Sequence, residues 1–167
     1  MTSNNPQWRG AFSAYAPLVF WIALILFFSG SRGSVAETTG FFRPLLEFLF
    51  PSLSKEEILF YYAYVRKFLH FTVYAILGFF AFRACVSGRQ GAKGSRYDDA
   101  SSLTVTRTLM TPLLISLAVA LTDEYIQSLD PSRTGTIYDV AIDMLGALTA
   151  VTVMRFVSPV SSRAKKV

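Results

Sequence analysis

The sequence has very few of the residues that build disulfides, metal cages and solvated surfaces. Of its 167 residues one is Cys and one is His, and 16% are charged. A single Cys excludes an internal disulfide, a Cys-based zinc cage and a CxxC redox pair, and a single His excludes a multi-His metal site. Soluble domains average about 25% charged residues, so the composition argues against an ordinary cytosolic enzyme.

Apolar side chains are what the sequence has in abundance. Hydrophobic residues make up 52% of the chain, aromatic residues make up 15%, and the formal net charge is +5. In a chain this apolar, a basic excess is more typical of a protein oriented in a membrane than of one that binds nucleic acid. We therefore expect the lipid bilayer as its surroundings and no nucleic-acid partner. The length allows a single domain, residues 1–167.

Four stretches with few charges predict four transmembrane helices. Between Arg9 and Arg32 there is no Asp, Glu, Lys or Arg, and about 20 apolar residues are enough to cross a bilayer. Three later apolar runs have shorter uncharged cores, so we expect their charged residues at helix ends or on an inward face. The predicted helices cover about 11–30, 66–86, 106–127 and 137–157.

The predicted loop after the first helix contains a further apolar segment, residues 41–50. It is too short to span a bilayer and is typical of an interfacial or re-entrant helix. Ser54 followed by Glu57 has the pattern of a capping box and predicts that a helix begins at Lys55. The predicted fold is therefore all-α, a four-transmembrane-helix bundle with an additional interfacial or re-entrant helix in the first outer loop.

Loop charges predict the orientation. The N-terminus, the second loop and the basic tail at 158–167 together hold more Lys and Arg than the first and third loops, and the opposite side holds all but two of the 11 acidic residues. Cytoplasmic loops carry the excess of Lys and Arg. We therefore expect a multi-pass protein of the cytoplasmic (inner) membrane with both termini in the cytoplasm.

The unusual polar residues of the predicted helices all fall at one level, in the outer leaflet. Ionisable groups at membrane depth cost about 2.5 kcal/mol or more at mid-span, so they are usually paired or functional. Gly146 and Ala147 continue the stripe of Asp143, and small residues let helices approach closely, so Asp143 should point into the bundle. The residues at this level are Lys67, His70, Tyr74, Asp123, Glu124, Gln127, Asp139 and Asp143.

Each of these residues also has an explanation that involves no function. His70 could make a structural hydrogen bond between helices. Arg66 and Lys67 could be anchors whose charged ends extend to the membrane surface. Asp139 lies three residues after Thr136, where it could belong to a helix N-cap. All of these residues lie at one membrane level. A separate structural explanation for each of them is less expected than one functional site that they share.

Several motifs resemble those of the VanZ-like family. RKFLHFTVYAILG at 66–78 resembles its R-K-x-x-H-F-x-x-Y-A-x-L-G signature, and DEYIQ at 123–127 is similar to its D-E-x-x-Q element. RTGTIYDV at 133–140 resembles R-x-G-(S/T)-x-x-D-V, and DMLG at 143–146 stands where the family has N-x-x-G. The replacement of Asn by Asp is the one clear departure. The resemblance covers about 15–157.

The resemblance implies a small integral membrane protein linked to resistance to the glycopeptide antibiotic teicoplanin. Such antibiotics act on cell-wall precursors outside the cytoplasmic membrane, which agrees with an outward-facing polar pocket. The expected function is therefore to act on or bind a cell-envelope lipid or lipid-linked precursor. Neither a reaction nor a cofactor follows from the resemblance, and the oligomeric state stays open.

Two classes of function fit the polar residues. In an intramembrane enzyme, His70 would be the general base or acid, since its ordinary pKa of about 6.5 suits that work. Asp123 or Glu124 would orient the ring, and Asp139 with Asp143 could bind a divalent cation. The candidate catalytic residues are His70, Asp123, Glu124 and Asp139, and the candidate ligand-binding residues are Lys67, Tyr74, Gln127, Arg133 and Asp143.

The alternative is a non-catalytic membrane scaffold or binding protein whose polar residues form a structural ion-pair network. The acidic residues around the third loop outnumber the basic ones, and a purely structural network should be closer to balanced. This surplus favours a functional pocket without deciding whether the protein is an enzyme. A proton-coupled transporter is a weaker third possibility, because four helices without an internal repeat do not form a typical monomeric transporter.

Overall fold

The structure, a computed structural model, describes residues 6–30, 44, 47–52, 54–91, 102–131 and 135–157. Nearly all of these residues are α-helical, and no strand occurs among them. A short helical segment at 47–49 precedes the second long helix. The predicted all-α fold with an extra short helix is confirmed. The long helices are α1 (Pro6–Ser29), α2 (Lys55–Gly91), α3 (Ser102–Ser128) and α4 (Ile137–Val157).

All four long helices contain a segment long and apolar enough to cross a membrane. Large apolar side chains such as Phe20, Phe68, Leu114 and Phe156 are more than half exposed on their outer surfaces. An apolar surface of this extent is unfavourable in water and is matched by lipid chains. The protein is therefore a multi-pass membrane protein. The spanning segments are Phe12–Ser29, Lys55–Ser87, Thr106–Ser128 and Ile137–Val157.

The second helix is longer than the predicted 66–86, because it begins at a capping box. The Ser54 backbone N donates to Glu57 Oε2 over 2.8 Å, and the Glu57 backbone N donates to Ser54 Oγ over 3.3 Å. The helix that starts there continues without a break into the membrane span. A helix of 37 residues is about 55 Å long, whereas the hydrocarbon core is about 30 Å thick. It therefore extends beyond the apolar layer.

α2 is the central helix and contacts the three other long helices, most extensively α4. A Cβ atom added at Gly146 would overlap the carbonyl oxygen of Phe71, and one added at Gly78 would lie 2.8 Å from the carbonyl oxygen of Ala147. The two backbones therefore approach more closely than larger residues would allow. The predicted small-residue stripe beside Asp143 is confirmed, and it sets how α4 lies against α2.

The apolar core lies between all four long helices and includes Leu18 of α1, Leu77 of α2, Ala120 of α3 and Val140 of α4. Trp21 Nε1 donates to the carbonyl oxygen of Val73 over 3.0 Å, which adds a polar link between α1 and α2.

Outside this core, Phe48 in the short helical segment is 82% exposed. An exposed aromatic side chain is typical of a helix in the membrane interface.

Candidate functional site

A buried group of polar side chains lies at one end of the bundle. There the last turns of α1 and α3 meet the first turns of α4 and the middle of α2. This group is called the polar cluster below. The structure brings seven of the nine predicted site residues together in this cluster and adds Arg66. The members are Arg66, His70, Tyr74, Asp123, Glu124, Gln127, Asp139 and Asp143.

His70 and Asp143 form a polar contact between α2 and α4. His70 Nδ1 lies 3.0 Å from Asp143 Oδ1, and Asp143 is fully buried. We had expected Asp123 or Glu124 to orient the histidine ring, and Asp143 does so instead. The physical reason is the close approach at Gly146, one turn further along α4, which brings Asp143 against α2.

Asp123 is the point where three helices are joined. Its Oδ2 accepts a hydrogen bond from the Tyr74 hydroxyl over 3.0 Å, and its Oδ1 accepts one from Gln127 Nε2 over 2.9 Å. The Ser29 hydroxyl of α1 donates to the Asp123 carbonyl oxygen over 2.9 Å. Ser29 was not among the predicted site residues, because a serine at the end of a helix has no distinctive pattern in sequence.

Glu124 and Asp143 each have one carboxylate oxygen with a partner and one without. Glu124 Oε2 accepts a hydrogen bond from the Thr136 backbone N over 2.7 Å. Glu124 Oε1 and Asp143 Oδ2 are buried and have no hydrogen-bond partner in the described part of the chain. A buried polar atom without a partner costs about 1–3 kcal/mol, and more when it is charged. Within the described part of the chain, these two oxygen atoms are therefore where a ligand, an ion or a proton would bind most favourably.

Arg66 takes the place in the cluster that we had expected for Lys67. Its Nη2 donates to Gln127 Oε1 over 3.1 Å and lies 3.6 Å from Asp139 Oδ2, whereas the Lys67 side chain is exposed. At 3.6 residues per turn the two basic residues lie about 40° and 60° from His70 around the helix axis. The two residues lie on opposite sides of His70, about 100° apart, and spacing alone does not show which side faces the other helices.

Asp139 takes part in the N-cap of α4, and its side chain also pairs with a basic residue of α2. Its backbone N donates to Thr136 Oγ1 over 3.2 Å, so Thr136 is the N-cap of α4. Its side chain pairs with Arg66, and it is not among the acidic groups that converge with His70. The expectation that Asp139 and Asp143 together hold a cation therefore does not fit this arrangement. The remaining predicted site residue, Arg133, lies outside the described residues.

Within the described residues, the polar cluster is exposed to its surroundings at its edge. The side chains of Arg66, His70 and Asp139 are 21%, 13% and 12% exposed, whereas Asp143 is completely enclosed. A shallow groove between α3 and α4 is lined by apolar residues, Leu113 and Leu145 among them, and offers no polar chemistry. Polar recognition of a ligand in the described bundle is therefore confined to the edge of the cluster.

Comparison with protein families agrees with this arrangement. The model of the family described as VanZ/LLP1 matches residues 14–158. The chain belongs to the VanZ/LLP1 family. No curated protein and no solved structure matches it. The region that matches the VanZ/LLP1 model contains the whole polar cluster.

Proposed function

We propose that this VanZ/LLP1 protein binds or acts on a cell-envelope lipid or lipid-linked precursor, in a process linked to glycopeptide (teicoplanin) tolerance. One observation carries the proposal. Arg66 and His70 form a partly exposed basic edge on a buried carboxylate cluster at the end of a membrane bundle. Lipid headgroups lie near the ends of membrane helices, so an anionic headgroup can reach this edge from the bilayer.

Arg66 supplies the recognition of the headgroup. A guanidinium binds a phosphate oxygen pair in bidentate fashion, which a lysine ammonium cannot do. Its present contact with Asp139 Oδ2 is 3.6 Å long, whereas a strong charge-assisted hydrogen bond is about 2.7–2.9 Å. A phosphate can therefore compete for the guanidinium. The exposed Lys67 next to it adds positive charge on the same stretch of α2.

His70 supplies the chemistry if the protein is an enzyme. A histidine held by a carboxylate is the usual arrangement for general acid or base catalysis, because the carboxylate fixes the ring and stabilises its charged form. Asp143 holds the ring at 3.0 Å, and part of the imidazole remains exposed at the edge of the cluster. In a binding protein the same imidazole would donate to the ligand without transferring a proton.

The second candidate function is a membrane scaffold whose polar cluster only holds the helices together. Contacts that support it are the hydrogen bond from Thr136 N to Glu124 and the position of Arg66 between Gln127 and Asp139. Two observations favour the ligand-binding function instead. Among the described residues, carboxyl groups outnumber basic groups in the polar cluster, and two carboxylate oxygen atoms are buried without a hydrogen-bond partner. A network that served stability alone should have balanced charges and a hydrogen-bond partner for each buried oxygen atom.

Native mass spectrometry of the full chain in mild detergent tests the proposal. We compare wild type with Arg66→Gln, and use Arg155→Gln as the matched control, because Arg155 lies near the other end of α4. Wild type and the control should retain a specific anionic envelope lipid, and Arg66→Gln should lose it at unchanged helical content. Equal retention by Arg66→Gln contradicts the proposal, and absence of lipid in all three together with an unstable Arg66→Gln protein supports the scaffold.

A further inference from the structure

We propose that the polar cluster is a binding site for one divalent transition-metal ion. His70, Asp123, Glu124 and Asp143 each offer one ligand atom, and these atoms all lie within 4.8 Å of one another. An ion at the centre of four ligand atoms that lie within 4.8 Å of one another would be at most about 2.9 Å from each of them, whereas a coordinating oxygen or nitrogen lies at about 2.0–2.4 Å. The four side chains therefore need shifts of less than about 1 Å to coordinate a common ion.

The two unpartnered oxygen atoms are the independent observation. Asp143 Oδ2 and Glu124 Oε1 are buried without a hydrogen-bond partner in the described part of the chain, and their residues are 0% and 6% exposed. Both belong to the group of side chains that converge. Buried charges in proteins are paired or coordinate metals. A cation at the centre of this group would give both atoms the partner that they lack.

The other atoms of these ligands are already occupied by orienting hydrogen bonds. Glu124 Oε2 accepts from the Thr136 backbone N, which leaves Oε1 for an ion. Asp143 Oδ1 lies 3.0 Å from His70 Nδ1, which leaves Asp143 Oδ2 for an ion. Metal ligands in proteins are usually fixed by hydrogen bonds of this kind, and a histidine ligand commonly has its other nitrogen on a carboxylate.

Asp123 is oriented in the same way from two sides. Tyr74 donates to one of its oxygen atoms and Gln127 to the other. Each carboxylate oxygen has more than one lone pair, so Asp123 can accept these bonds and still coordinate an ion. The bonds hold the carboxylate still, which lowers the entropy lost when an ion binds.

The donor set indicates which ions the site takes. One imidazole nitrogen with carboxylate oxygens suits Zn²⁺ or Mn²⁺, whereas Mg²⁺ and Ca²⁺ prefer ligands that are all oxygen. The chain's one Cys, Cys85, lies about four turns of α2 beyond His70, so sulfur does not take part. The inference does not depend on the proposed lipid function, because an ion can bind whether or not a lipid does.

Metal binding to the purified full chain tests the inference. The protein in detergent is stripped with EDTA and titrated with Zn²⁺ and with Mn²⁺, and the bound metal is counted by elemental mass spectrometry after desalting. Wild type and the control Glu56→Gln, an exposed acid at the start of α2, should bind one equivalent. Glu124→Gln and Asp143→Asn should bind at least about tenfold more weakly at unchanged circular dichroism.

Two outcomes of this titration overturn the inference. One is that wild type binds no equivalent of either metal. The other is that wild type and both variants bind the metal with equal affinity. If both variants unfold, X-ray absorption of the Zn²⁺-loaded wild type decides. Nitrogen and oxygen neighbours at about 2.0–2.2 Å with an imidazole contribution support the site, and sulfur neighbours or no imidazole contradict it. Lipid retention is measured on Arg66→Gln, so failure of the lipid proposal is recognised separately.

Discussion

His70 Nδ1 lies 3.0 Å from Asp143 Oδ1, and this contact joins α2 and α4 inside the bundle. Asp143 is completely enclosed, whereas 13% of the His70 side chain is exposed. The imidazole is therefore the group through which a buried carboxylate reaches the edge of the polar cluster. The backbones of α2 and α4 also approach closely beside this pair, at Gly146 and Phe71. A shift of one helix against the other would therefore change the distance between His70 and Asp143.

Replacing His70 or Asp139 by alanine is expected to abolish function while expression stays near normal. Each residue lies at the partly exposed edge of the polar cluster, where a ligand is contacted and where packing is least affected. The readout is teicoplanin susceptibility of cells that depend on this protein, with membrane levels measured by immunoblot. Loss of the folded protein in both variants would instead support the structural network.

Gly146→Ala is expected to destabilise the bundle. The new methyl group would overlap the Phe71 carbonyl oxygen and lie 3.1 Å from the Ala75 backbone N, and neither backbone atom can move without shifting α2. Overpacking of this kind costs about 1–3 kcal/mol. The thermal midpoint in detergent should fall, and it should not for the control Gly30→Ala, whose nearest neighbour would be 4.0 Å away. Equal midpoints for the two variants would contradict the close helix contact.

Ser54→Ala is expected to loosen the first turn of α2 without affecting the membrane span. The substitution removes the hydroxyl that accepts from the Glu57 backbone N, and with it one half of the capping box. Amide hydrogen exchange in the first turn should become several-fold faster, and exchange near His70 should not change. Ser52→Ala, an exposed turn position outside the box, is the control. Unchanged exchange in Ser54→Ala would show that the cap does not stabilise the helix start.

The orientation of the chain can be tested by cysteine labelling of intact cells in a Cys85→Ser background. The positive-inside rule predicts that a cysteine at Ser52 faces outward and one at Ser161, in the basic tail, faces the cytoplasm. Ser52→Cys should react with a membrane-impermeant maleimide, and Ser161→Cys should react only after permeabilisation. The opposite pattern would invert the predicted topology and place the polar cluster in the cytoplasmic leaflet.

The sequence predicts helix boundaries correctly where interactions between residues close in the chain determine them. The span of α4 and the capping box at Ser54 agree with the structure, because apolar run length and a side-chain bond three residues away are local properties. The capping box predicts the start of α2 at Lys55 and the apolar run predicts a membrane span from 66, but the sequence leaves open whether the two belong to one helix. The structure shows that they form one helix without a break.

The pairing inside the polar cluster could not be obtained in the same way. The sequence indicates that polar residues of all four helices meet at one level. It does not indicate that Asp143 holds His70, or that Arg66 turns inward where Lys67 turns outward. These choices depend on the rotation of each helix about its axis. That rotation is set by contacts between residues far apart in the chain, above all between Gly146 and Phe71.

The sequence by itself therefore determined that this is a four-helix membrane protein of the VanZ/LLP1 family with polar residues near one end, because hydropathy, capping and motifs are local or ordered along the chain. Tertiary structure alone decided which acids converge on His70 and which of their oxygen atoms lack a partner. The physical reason is that a side chain's partners depend on how closely two helices pack and how each is rotated, and both depend on all the contacts of the bundle at once.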